Sequence, residues 1–436
     1  MLLDFTVENF RSIKGAETLS AVAASKSKVK SNSESHRRIK SDDEIAQPFH
    51  IEGWDIDVLP VIAIFGANAS GKSNVLKAFD YLLEFICNGD HNHHSQPIPF
   101  KLDKQSLENP SSFRIRVAVD GTIYTYSISL NRNRILSEKL EYALVYTKRE
   151  RLLFNRNWNI KKQKFEWKNG SDFAGAHTQL QKGLRESEPF ISLFSKLEIK
   201  VVKPLVDWLN YSLVGAYCGH RHMDNFILDL LWSNLLLPSQ QFDETSKILE
   251  NVKNLLLKFD TGLYNIEVRA EGKDDNRYQI YASHKTEDSK IISWKFEEES
   301  AGTQNLFGLA CRIEVMLEKS SLVTSDELGA NLHPNIVHEI VRIFQNSKTN
   351  PNRTQLIFTS HDNTLQRNNL LRRDQIWFTQ KRPDQSTELY PLSDFKVRND
   401  LAIDKAYLDG RFGAVPFISD EDEEPISLKE KDKDNG

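Results

Sequence analysis

Residues 58–65 read Val-Leu-Pro-Val-Ile-Ala-Ile-Phe, and the chain continues as Gly66-Ala67-Asn68-Ala69-Ser70-Gly71-Lys72-Ser73. The first block is a continuous apolar run, the pattern of a central parallel strand buried on both faces. The second fits G-x-x-x-x-G-K-[ST] without a gap. From about Lys72, the residues Val75, Leu76, Phe79, Leu82, Leu83 and Ile86 recur at helical spacing. Strand, glycine loop and helix together make a phosphate cradle. Gly66 and Gly71 let backbone N–H groups turn inward as an anion nest, and the positive end of the helix points at the same phosphates. Lys72 reaches the β- and γ-phosphates, and the Ser73 hydroxyl ligates Mg²⁺. Asn68 and Asn74 complete the candidate contact set, and the predicted ligand is ATP with Mg²⁺.

Such a loop needs a distal acidic site. Leu322-Val-Thr-Ser-Asp326-Glu327 supplies one at the end of a short strand, where Thr324 and Ser325 replace the aliphatics expected there. Asp326 is placed to hold the Mg²⁺, and Glu327 to polarise the attacking water as general base. A second apolar strand, TQLIFTSHD over residues 354–362, ends at His361. The order of phosphate loop, acidic strand end and histidine strand end favours nucleotide hydrolysis over three unrelated turns.

Around this nucleus the chain alternates between strand and helix patterns. Leu3, Phe5, Val7 and Phe10 alternate with polar residues, and 17–24 reads as a second short strand. Residues 111–130 predict a hairpin across Asp120-Gly121, with 134–168 extending that β layer. Helical periodicity dominates from about 176 to 260. Strands return at YNIEVRAE, RYQIYASH and IISWKFEE; a helix over 302–319, a helix over 334–346 and a late hairpin follow. Residues 25–44 read as a solvated polar loop, the alternative being a basic finger for a phosphate backbone. The end, SDEDEEPISLKEKDKDNG, reads as a disordered acidic tail.

Composition removes several classes. Of 436 residues, 57 are Lys or Arg and 61 Asp or Glu, a net charge of −4 that excludes a strongly basic nucleic-acid coat. Cys87, Cys218 and Cys311 lie far apart, which excludes a disulfide framework and a four-cysteine zinc site and fits a reducing cytoplasm. The first residues form no signal peptide. No apolar run reaches the roughly 18 residues of a membrane helix, so no membrane partner is expected.

These motifs resemble those of the ABC-type ATPases of the RecF/SMC/OLD group, often labelled AAA-family ATPases in bacterial defence operons. Phe5-Thr-Val-Glu-Asn-Phe-Arg-Ser-Ile13 is similar to that group's opening strand, and Ser300-Ala301-Gly302-Thr303-Gln304 to its signature motif. Asp326-Glu327-Leu-Gly-Ala-Asn-Leu-His-Pro334 resembles its Walker B and D-loop, and Thr359-Ser360-His361-Asp362 its switch histidine. The resemblance implies that Ser300 and Gly302 contact a γ-phosphate held by a second protomer, that His361 senses the phosphate of its own protomer, and that Asn331 lies near the dimer seam. Ala301 and Thr303 stand where the strict transporter signature often has glycine. For the Q-loop only Gln96 and Gln105 suggest themselves. The segment Asp404 to Ile418, DKAYLDGRFGAVPFI, is similar to the C-terminal signature of the RloA-like subgroup of abortive-infection ATPases, which are encoded beside a separate, often nuclease-like effector.

The expected fold is therefore α/β: a P-loop NTPase of the ABC-type head, with an N-terminal antiparallel β layer and an inserted helical lobe. The expected divisions are 1–175, 176–265 for the lobe, 266–418, and 419–436 for the tail. Three functions are compatible with the motifs. One is a cytoplasmic defence ATPase whose nucleotide-driven dimer controls an effector, with DNA or a phage protein as trigger. The others are a RecF-like DNA repair ATPase and an ATP-binding scaffold with vestigial hydrolysis. His91, His93 and His94 read as a polar loop rather than a zinc site, and Cys218-Gly-His220-Arg-His222 as a helix boundary. Asp420 and Asp422 leave too little chain after them for a fused TOPRIM nuclease.

Overall fold

The chain begins with β1 (Leu2–Glu8), paired antiparallel with β2 (Glu17–Ser20). The structure is a computed structural model that describes residues 1–24, 47–89, 96–173, 180–196, 199–219, 242–259, 262–270, 278–319, 321–330, 332–367, 370–398 and 401–416. The loop at 25–44, the HNHH cluster, His220, His222, Asn331 and the acidic tail lie outside those residues.

The apolar run 58–65 is divided between two elements, not one strand as its composition suggests. Asp57–Val58 (β4) pairs antiparallel with Phe49–His50 (β3), and the parallel strand β5 occupies only Val61–Gly66. Pro60 separates them because it has no N–H for a ladder; its carbonyl instead accepts from Leu356 N–H at 2.9 Å. Helix α1 (Lys72–Asn88) leaves the glycine loop, and the short α2 (Lys104–Glu108) leads into the antiparallel layer. That layer comprises β6 (Ser111–Val119), β7 (Thr122–Leu130), β8 (Ile135–Leu144), β9 (Glu150–Asn159) and β10 (Lys164–Asn169), in the order β10-β9-β8-β7-β6-β1-β2. The β6–β7 turn has φ 48° at Asp120 and 73° at Gly121, the mirror-image turn that Asp-Gly favours.

Helices α3 (Lys203–Gly219) and α4 (Phe242–Lys258) follow, then an antiparallel sheet of β11 (Asn265–Ala270), β12 (Tyr278–Lys285) and β13 (Ile291–Lys295). Next come α5 (Ala301–Lys319), β14 (Leu322–Ser325), α6 (Pro334–Gln345), β15 (Gln355–Thr359), the β16–β17 hairpin (Ile376–Lys381, Thr387–Pro391) and α7 (Ile403–Leu408). The second large sheet runs β14-β15-β5-β16-β17, parallel except for β17.

Alternate residues of β5 enter different cores. Ile62 and Ile64 pack with α1, the antiparallel layer, and Leu205, Trp208 and Leu209 of α3. Val61, Ala63 and Phe65 pack with α5, α6, and Val252, Leu255 and Leu256 of α4. Two covered faces explain why β5 has no polar alternation. Gln355, at the start of β15, ties the two sheets together. Its Oε1 accepts from Leu2 N–H at 2.5 Å, and its amide donates to the carbonyls of Leu2 (3.2 Å) and Leu59 (3.1 Å). No helix among the described residues is long and apolar enough to cross a membrane.

Candidate nucleotide-binding site

Because β15 lies between β5 and β14 and all three run parallel, their C-terminal ends open on one edge. The glycine loop, Asp326-Glu327 and His361 follow those three ends. Crevices of this kind, outside the carboxyl ends of parallel strands, are where open α/β sheets bind ligands.

The loop is shaped by close approach. Gly66 has φ 154°, and a Cβ there would lie 2.4 Å from Thr379 O; Gly71 has φ 112°, and its Cβ would lie 2.0 Å from Thr387 Oγ1. Side chains are excluded at both positions. The loop is braced from the β16–β17 hairpin: Ser70 and Thr379 share a hydroxyl hydrogen bond at 2.7 Å, and Thr387 Oγ1 donates to Ser70 O at 2.9 Å. Ser12, beyond β1, joins the brace through Thr387 Oγ1 at 2.7 Å. Gly71 caps α1 without a side-chain bond, so the first N–H groups of the helix point into the loop.

Lys72 is buried and donates to Gly66 O at 2.8 Å and Ala67 O at 3.0 Å. Burial lowers its pKa, while Asp326 and Glu327 pull it back up. Ser73 Oγ donates to Asp326 Oδ1 at 3.0 Å. Hydroxyl and carboxylate oxygens are hard donors that suit Mg²⁺, which keeps water and phosphate oxygens as its other ligands. Among the described residues no group of three His, Cys, Asp or Glu could cage a metal, and Mg²⁺ held in this way needs none. Glu327 is exposed and takes the left-handed conformation, φ 53°. His361 is exposed at the same edge. Partial desolvation and the Lys72 ammonium push its pKa below the usual value, against the pull of Glu327 and Asp326, so the ring is neutral at pH 7.

The other candidates take different places. Asn68 is exposed on the loop, whereas Asn74 gives its amide to Ser12 Oγ at 2.7 Å. Ser300 is the N-cap of α5: its Oγ accepts from Thr303 N–H at 3.1 Å and bonds Thr303 Oγ1 at 2.9 Å. Gly302 is exposed in the first turn of α5. Gln105 lies on the surface of α2, and Gln96 is exposed before it. Sequence reasoning names Thr359 and Ser12 only as members of quoted motifs, without a role, misses Thr379 and Thr387, and reads Thr324 as a poor strand residue. Thr324 Oγ1 in fact donates to Asp80 Oδ1 on α1 at 2.7 Å, so the polar residue fixes the acidic strand to the loop helix. Hydroxyls within or beside buried strands were the available signal.

Among solved structures, the SMC head domain from Thermotoga maritima is similar at 14% identity, covering 89% of this chain and 98% of that one, with a TM-score of 0.41. The SmcHead bound to the C-winged helix domain of ScpA is similar at 13% identity, covering 93% and 99%, with a TM-score of 0.43. No curated protein matches the sequence. The family described as "AAA domain, putative AbiEii toxin, Type IV TA system" matches residues 61–367, from the phosphate-loop strand through His361, and with more than half of its sequence matched the chain belongs to that family.

Proposed function

We propose that this protein binds ATP with Mg²⁺ and hydrolyses it, and that ATP sandwiched between two protomers controls a separately encoded effector in anti-phage defence. One observation carries the hydrolytic reading: Lys72, Ser73, Asp326, Glu327 and His361, drawn from three separate stretches of sequence, stand at one edge of one sheet. The loop N–H groups and Lys72 bind the phosphates. Ser73 and Asp326 would hold Mg²⁺, which supplies charge neutralisation on the β- and γ-phosphates. Glu327 takes the proton of the attacking water, and His361 presents a ring N–H to the γ-phosphate. The defence role draws support from the family's description as a putative toxin of a type IV TA system and from the RloA-like segment at 404–418. Dimerisation through Ser300 and Gly302 rests on the resemblance of the signature motif.

Glu327→Gln tests the chemistry. The amide keeps the shape of the side chain and removes the base, so the variant should bind ATP normally and turn over about 10²–10⁴-fold more slowly. Single-turnover phosphate release checks this, and wild-type turnover would assign the base elsewhere.

A further inference from the structure

We infer that Thr359 is a positioning residue for hydrolysis, setting the general base Glu327 and the metal-side carboxylate Asp326 through a single hydroxyl; this rests on the roles given to those two residues above. Thr359 is fully buried at the end of β15, the strand between the acidic strand and the phosphate-loop strand. Its Oγ1 donates to Asp326 Oδ1 at 2.7 Å and accepts from Glu327 N–H at 2.7 Å. Its carbonyl accepts from Leu328 N–H at 3.0 Å. One residue thus takes the peptide N–H of Glu327 and that of the next residue, clamping the turn in which Glu327 is left-handed.

The hydroxyl has one proton, and Asp326 receives it. The oxygen is therefore oriented to accept from Glu327, and the carboxylate rotamer and the backbone of the base are fixed together. Ser73 donates to the same Asp326 oxygen, so Asp326 keeps one hydroxyl partner without Thr359, while the Glu327 N–H loses the partner that defines its turn. Left-handed backbone is disfavoured for a residue with a Cβ, and with one of its two clamps gone the turn loosens at Glu327 although Leu328 N–H still bonds Thr359 O, carrying the carboxylate off the water's line. Lys72 and the N–H groups of the glycine loop take no part in these bonds, and Ser73 keeps its own bond to Asp326. Loss of the hydroxyl should therefore fall on the chemical step and spare ATP binding.

Thr359→Val keeps shape and volume and removes the hydroxyl. We expect ATP affinity within about threefold of wild type, the effect of less than one hydrogen bond, and kcat lower by about 10²-fold, the cost of misplacing a reacting group by roughly 1 Å. Thr359→Ser should restore most of kcat. In the Glu327→Gln background Thr359→Val should cost little more, because both lesions act through one group. If Thr359→Val fails to fold, the ratio of kcat between Thr359→Ser and Thr359→Ala isolates the hydroxyl. Wild-type kcat in Thr359→Val, or equal kcat in the Ser and Ala variants, would overturn the inference. So would ATP affinity and kcat falling together without rescue by Ser, which describes a packing role. Unchanged turnover in Glu327→Gln alone would instead remove the general-base reading on which the inference stands.

Discussion

The ammonium of Lys72 rests on two carbonyls of its own loop and also helps keep His361 neutral. Hydrogen bonds from a charged group contribute about 1.5–3 kcal/mol each. Lys72→Ala should therefore weaken ATP binding by about 10²-fold or more, measured by titration with a fluorescent nucleotide, while the fold survives. The histidine yields a pH prediction of definite sign. In the free protein its pKa lies below the usual value; phosphate charge next to the ring favours the imidazolium and raises it. Between the two pKa values binding takes up a proton, so ATP affinity gains as pH falls through that window. Calorimetry in buffers of different ionisation enthalpy should show more proton uptake near pH 6 for wild type than for His361→Gln. Equal uptake would place the ring away from the phosphates.

The glycine loop is held from outside by elements remote in sequence, and this brace can be tested as a unit. Gly71→Ala puts a Cβ against Thr387 and forces a residue with a side chain to φ 112°. Strained backbone of that kind costs about 1–3 kcal/mol, so urea melts should show at least that loss, with ATP binding impaired. In a Thr387→Ala background most of the steric part should go, leaving the Cβ contact at 2.9 Å, while the backbone part remains, giving a non-additive cycle. A second clasp holds the antiparallel layer: buried Glu138 accepts from Arg156 Nε at 2.7 Å, from Tyr126 OH at 3.0 Å and from the N–H groups of Phe190 and Ile191. Much of this architecture was legible in the sequence. A buried strand leading into Gly66, the helix at Lys72, the Asp120-Gly121 hairpin and strands just before Asp326 and His361 all follow from periodicity and turn chemistry. The partners were not legible. Periodicity tells which face of an element is apolar; it does not tell which distant residue lies opposite. Ser12, Thr359 and Thr387 are ordinary hydroxyls until the sheets bring them to the loop, and Asn74 looks like a ligand contact until Ser12 takes its amide. Pro60 was visible inside the apolar run, yet the run's uniformity hid the break it makes.

At the scale of the whole molecule, the proposed sandwich of two protomers makes a prediction by complementation. Ser300→Arg should leave ATP binding near wild type and abolish hydrolysis, after allowance for the lost helix cap, worth about 0.5–2 kcal/mol. Mixed with Lys72→Ala, it forms heterodimers in which one site carries both lesions and the other neither. Phosphate release should then reappear in the mixture, with neither variant active alone; a silent mixture in which heterodimers are demonstrated would exclude independent trans sites. How such a closure would be felt inside each protomer depends on β15. Its first residue, Gln355, is bolted to β1 and to Leu59, and its last, Thr359, to Asp326 and the turn at Glu327. A strand pinned at both ends cannot slide lengthwise between its neighbours. A push on His361 is therefore passed along the strand to β1 and to the turn at Glu327 instead of being lost as sliding of the strand between its neighbours.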